Sequence, residues 1–174
     1  MNLCVMILTS NVFELDIPPK IMPKVCFSIN GKSMIEICIE NALKLNPKKI
    51  ILAVMRSHII PINRLLKYKN YSKLISYHLV EEDRNLSSVC CKGKDVLVIP
   101  GNAPLFSTDD MFKIISSRRN LKISNNLFFI KRDSLHLLNN TSDLDVEDLV
   151  EVQEVETRQD LEEISKLIKK NRNI

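Results

Sequence analysis

Gly31, Lys32 and Ser33 are the residues whose types and order most invite a chemical reading, because a glycine, a lysine and a hydroxyl in a row are how a P-loop cradles phosphate. That loop needs a further glycine five residues earlier, and Cys26 stands there, so the P-loop reading is discarded. His58, His78 and His136 lie far apart without ligand spacing, and no metal site is assigned to them. The cysteines Cys4, Cys26, Cys38, Cys90 and Cys91 are odd in number and lack C-x-x-C spacing. They read as small buried hydrophobes and as neither a disulfide framework nor a zinc site. Tyr68, Tyr71 and Tyr77 lie among Arg64, Lys67, Lys69 and Lys73, but so few aromatics do not support sequence-specific RNA recognition.

Charge is segregated along the chain. Residues 1–142 carry 20 Lys or Arg against 11 Asp or Glu, residues 143–163 carry 1 against 10, and residues 164–174 carry 4 against none. The balance runs +9, −9, +4, which gives an uneven field able to draw phosphates or RNA toward the amino-terminal part. Abundant Lys, Asn and Ile also fit AT-rich coding of the reduced-genome kind, which raises Lys without selection for a ligand.

At 174 residues the chain is expected to form a single domain, residues 1–174, burying roughly 70% of its unfolded surface. With 45% hydrophobic and 26% charged residues, long disorder is not expected. No apolar run is long enough to span a bilayer and no signal-peptide pattern opens the chain, so a cytoplasmic protein without membrane contact is expected.

The elements that must position any site read as strand, loop, helix, strand, the pattern of a βαβ sheet. Residues 3–9 and 50–55 are near-continuous apolar runs suited to strands buried on both faces. Ser33 and Glu36 form a capping box that opens a helix with Ile35, Cys38, Ile39, Ala42 and Leu43 on one stripe, stopping before Pro47. A short helix is predicted over 61–68 and strands over 74–80, 95–99 and 127–130. Ser107 caps a helix running through Ile115, and Thr157 opens a last helix with Leu161, Ile164, Leu167 and Ile168 facing the core.

With these elements placed, the chain resembles the nucleotide-sugar pyrophosphorylase superfamily, and most closely the amino-terminal domain of N-acetylglucosamine-1-phosphate uridyltransferases. Pro23, Lys24 and Val25 with residues 30–36 (N-G-K-S-M-I-E) look like the family's P-K-x-L and G-K-P-M-[IL] segments. Residues 95–105 (D-V-L-V-I-P-G-N-A-P-L) look like its D-x-L-V-x-x-G-D-x-P-L, and residues 155–161 (V-E-T-R-Q-D-L) are similar to a closing segment of related transferases. The resemblance implies an α/β fold: a Rossmann-like, doubly wound, mostly parallel sheet, reduced in size, with nucleotide at the carboxyl ends of its strands. It implies phosphate contact by Lys24, the one catalytic candidate, and nucleotide contacts by Glu82 and Gly101.

Departures from the family pattern are equally specific. The phosphate-loop positions, Ser10, Asn11 and Glu14 among them, hold no glycine, and Glu14 and Asp16 repel phosphate where family members have a glycine-rich turn. The magnesium-binding aspartate is Asn102 here, a weaker ligand for a hard dication. The base-reading segment is represented by residues 82–87, again without glycine, and much of the sugar-binding region is missing.

Two expectations follow. The leading one is a pseudoenzyme: a degenerate transferase fold kept as a binding or scaffold module, with no cofactor and a protein or ribonucleoprotein assembly such as a ribosome as partner. In it, the acidic 143–163 segment turns away from the phosphate-rich partner. The alternative is a minimal active sugar-1-phosphate nucleotidyltransferase that uses Mg2+, with Lys24 on phosphate, Asn102 on the metal, and Asp143, Asp145 or Asp148 supplying the missing carboxylate. A nucleotide-binding sensor without turnover lies between them.

Overall fold

The computed structural model describes residues 2–9, 22–80, 86, 91–138 and 140–172. In chain order these form β1 (Leu3–Leu8), β2 (Ser28–Ile29), β3 (Lys32–Ser33), α1 (Met34–Leu43), β4 (Lys49–Val54), α2 (Ile59–Leu66) and β5 (Ile75–Leu79). There follow β6 (Asp95–Pro100), α3 (Thr108–Ser116), β7 (Leu121–Ser124), β8 (Leu127–Ile130), β9 (Asp145–Val146) and α4 (Arg158–Arg172). Seven strands make one sheet in the order β5-β4-β1-β6-β8-β7-β9, and β2 and β3 form a separate hairpin. The β5-β4-β1-β6 half is parallel, and β8 enters antiparallel to both β6 and β7. This is the mostly parallel α/β sheet expected from the alternation of apolar runs and amphipathic helices.

The two faces of the sheet are covered differently. Leu3, Val5 and Ile7 of β1 face a core shared with Ile35 and Ile39 of α1, Ile62 and Leu66 of α2, and Ile114 of α3. Cys4, Met6 and Leu8 face the other way, onto Leu138, Leu144, Leu86 and Cys91. Among the described residues that second face is closed by 3-10 turns at Arg132–Leu138 and Thr141–Asp143, with no α-helix. Full burial on both faces explains why β1, β4 and β6 read as unbroken apolar runs.

Local chemistry sets the helix boundaries. The capping box is formed: Ser33 N donates to Glu36 Oε2 at 2.9 Å, and Ser33 Oγ accepts from Glu36 N. Helix α2 begins at Ile59, two residues earlier than its sequence pattern suggests, because Pro61 falls in the first turn where its missing N–H costs nothing. In α4, Ile164 is buried but Leu167 is 43% exposed, so the predicted apolar stripe covers less than a full face. Cys4, Cys26, Cys38 and Cys91 are all buried free thiols, while Cys90 lies outside the described residues.

Glu36 also makes this helix start sensitive to acid. Burial pushes its carboxyl up, but hydrogen bonds from the Lys69 ammonium, 2.5 Å away, and from Ser33 outweigh it and hold Glu36 below the usual carboxylate range. A depressed folded-state pKa adds stability above the unfolded value of about 4.3, and that stability is lost as pH falls through the folded one. Urea midpoints measured from pH 7 to pH 3 should fall at the acid end, and Glu36→Gln should flatten that fall. Ser33→Ala should cost about 1 kcal/mol at pH 7.

Candidate functional site

The chain leaves β1 toward α1 and β4 on one side and takes up β6 on the other, so the carboxyl ends of β1 and β6 flank the point where strand order reverses. In open α/β sheets that crevice is where ligands bind. Gly101, just past β6, donates its N–H to Leu8 O at 2.8 Å. A Cβ on Gly101 would lie 2.8 Å from that carbonyl and 3.2 Å from side-chain atoms of Ile7 and Val25, so glycine is required here by packing whether or not a ligand is near.

Three polar side chains converge beside this junction. Lys24 sits in a 3-10 turn, Lys24–Cys26, that lays Val25 on the core and leaves the lysine side chain only 4% exposed. Its Nζ lies 2.6 Å from Glu156 Oε2. Asn102 is 1% exposed and donates from Nδ2 to Glu156 Oε1 at 3.2 Å and to Val155 O at 3.1 Å. Val155 N closes the connection by donating to Asn102 O at 2.8 Å. Among the described residues the buried Asn102 Oδ1 has no hydrogen-bond partner.

The start of α4 holds Glu156 in place. Asp160 accepts from Thr157 N at 2.7 Å and from Glu156 N at 2.9 Å, fixing the backbone that carries the Glu156 side chain. These amide bonds, Thr157 first, and the nearby Lys24 charge lower the Asp160 pKa. Asn30 of the β2–β3 turn donates to Ser165 O, and Val155 and Ile164 pack with Ile29 and Met34. The amino end of α4 is thereby tied to the hairpin preceding α1.

Lys24, Gly101 and Asn102 are thus brought together, whereas Ser10, Asn11, Glu14 and Glu82 lie outside the described residues. Among the described residues the carboxylate hydrogen-bonded to Asn102 is Glu156. Asp145 is on β9, three strands from β6, a separation of roughly 14 Å at strand spacing. The signal for Glu156 was present in the closing segment at 155–161, whose acid falls at its second position.

The cluster offers one ammonium, one carboxylate and one unpartnered amide oxygen. In the paired arrangement the only carboxylate of the cluster among the described residues is already held by Lys24. Among the described residues no group of three or more His, Cys, Asp or Glu is placed to hold a metal ion. Asn102 Oδ1 and a Glu156 oxygen would suit a magnesium ion that keeps waters and takes further ligands from phosphate, on condition that Lys24 releases Glu156.

No protein-family model matches the chain, and no curated protein matches it. Solved structures do. The chain is similar to 4-diphosphocytidyl-2C-methyl-D-erythritol synthase from Anaerococcus prevotii, with a TM-score of 0.69, 12% identity, and 97% of this chain and 98% of that one covered. It is similar to Rv0371c from Mycobacterium tuberculosis, with a TM-score of 0.68, 12% identity, and coverage of 95% and 98%. A Bacillus anthracis protein assigned as a glucose-1-phosphate thymidylyltransferase, crystallised with sucrose, gives 0.70, 11%, and coverage of 95% and 94%. At these identities the likeness is one of fold: the sheet has the α/β, Rossmann-like architecture of these proteins. No helix among the described residues is long and apolar enough to cross a membrane.

Proposed function

We propose that the protein is a binding module built on the nucleotidyltransferase fold, which takes the phosphates of a nucleotide or sugar nucleotide onto Lys24 and does not turn it over. The observation that carries this reading is the Lys24–Glu156 pair: the cluster's single carboxylate among the described residues is bound to an internal ammonium, and its neighbour at 102 is a neutral amide. A phosphate reaching Lys24 takes the place of Glu156, exchanging one anion for another at a buried cation. The whole chain is read as one domain. The glycine-free sequence after β1 agrees with binding that lacks the close backbone wrap of a catalytic phosphate loop.

Thermal unfolding in the presence of each of the four common nucleoside triphosphates tests the reading. A ligand at about a hundred times its Kd adds about 2.7 kcal/mol, which raises Tm by roughly 5 to 10 °C in a chain of this size. That rise should vanish in Lys24→Ala, and pyrophosphate release with sugar phosphates present should stay at the Lys24→Ala background. Absence of any rise defeats the binding claim, and turnover above background defeats the non-catalytic one.

One observation favours a second reading, a minimal magnesium-dependent sugar-1-phosphate nucleotidyltransferase: the unpartnered Asn102 Oδ1 beside Glu156. In that case Asn102 and Glu156 would hold the metal, which would supply charge neutralisation on the phosphates, and Lys24 would contact the phosphoryl oxygens.

A further inference from the structure

The charge bias of the amino-terminal part is concentrated at one edge of the sheet. Residues 41–80 contain eight Lys or Arg and no Asp or Glu. Five of the eight, Arg56, Arg64, Lys67, Lys69 and Lys73, belong to the crossover that carries α2 and leads into β5, the strand at the sheet's open edge. Lys69 is neutralised by Glu36, whereas Arg56, Arg64, Lys67 and Lys73 are exposed and make no ion pair among the described residues. The acidic strand β9 lies at the opposite edge.

Exposed rings and aliphatic side chains share this surface. Tyr68 is 85% exposed, with Lys67 Nζ 5.3 Å from its ring centroid, and Ile60, Tyr77 and Leu79 are exposed as well. Tyr77 of β5 donates its hydroxyl to Asn63 of α2, so the outer stripe of the helix and the outward side of the strand adjoin. Ile60, Arg64 and Lys67 recur on that stripe at helical spacing. Cations interleaved with open aromatic faces, without a rigid donor pattern for base edges, are the chemistry that grips a flexible polyphosphate strand and stacks its bases.

We propose that the surface formed by α2 and the outer side of β5 binds single-stranded RNA, with Arg56, Arg64, Lys67 and Lys73 on phosphates and Tyr68 and Tyr77 against bases. Helix α2 packs against the Lys24–Cys26 turn, but the proposal does not rest on the function of the Lys24 cluster. A second copy of the chain is the competing occupant, since the β9 edge is acidic. But β9 is two residues long against five in β5, too short to cover the edge.

The test is fluorescence anisotropy of a labelled uridine oligonucleotide of about 12 nucleotides with the full chain. Four phosphate contacts predict an affinity that falls about 50-fold between about 50 and 200 mM salt. Combining Arg64→Ala, Lys67→Ala and Lys73→Ala should remove most of that salt dependence and weaken binding more than tenfold. Tyr68→Ala should weaken it about tenfold with the salt slope kept. All four side chains are exposed, so unchanged Tm values will show that the variants fold. Failure to bind, binding indifferent to salt, or inorganic polyphosphate competing as well as RNA with Tyr68→Ala neutral would each overturn the proposal. So would salt-sensitive self-association, seen by sedimentation, that is lost in the triple variant and unaffected by RNA.

Discussion

Glu156→Ala is expected to cost about 3 kcal/mol of stability in urea unfolding, while Lys24→Met costs about 1 kcal/mol or less. The asymmetry comes from burial. Lys24 is 4% exposed at its side chain, so deleting Glu156 leaves an ammonium with neither partner nor adequate water. Glu156 is 44% exposed, so deleting Lys24 leaves a carboxylate that water and Asn102 Nδ2 still solvate. Methionine also keeps the apolar length of the lysine stem in contact with its surroundings. Equal losses from the two substitutions would mean that the pair is solvated on both sides and that Lys24 is an ordinary surface lysine.

Gly101→Ala is expected to be about as damaging, near 2 to 3 kcal/mol, for a single added methyl. The nearest atom to the new Cβ is the carbonyl oxygen of Leu8 at 2.8 Å, which is held in the β1 backbone and is also the acceptor for Gly101 N. Relief requires β1 and β6 to separate at their carboxyl ends, next to Asn102 and to Val25, the neighbour of Lys24. The nucleotide-dependent rise in Tm should therefore shrink in the same variant. A Gly101→Ala protein with wild-type Tm and wild-type ligand response would contradict the packing described at the switch point.

Much of the fold was legible because its signals are local. The runs at β1, β4 and β6 are apolar on both faces, and Ser33 and Ser107 cap helices through residues three positions on. What could not be read was set by distant contacts. The two-residue β9 has no pattern of its own and exists because it pairs with β7. The 3-10 turns over the second face have no amphipathic period to announce them. At the site, Lys24 and Asn102 stood out as isolated positions, but their shared partner Glu156 is 132 residues from Lys24 in sequence. Only the fold shows that the acidic segment places a carboxylate beside Asn102 and Lys24.

The most direct measurement is calorimetric titration of a nucleoside triphosphate, without and with magnesium, into the wild type and Glu156→Gln. If Glu156 is the internal anion that a phosphate displaces from Lys24, Glu156→Gln binds several-fold more tightly, and magnesium makes little difference. Binding that needs magnesium and is lost in Glu156→Gln would make Glu156 a metal ligand and contradict the account.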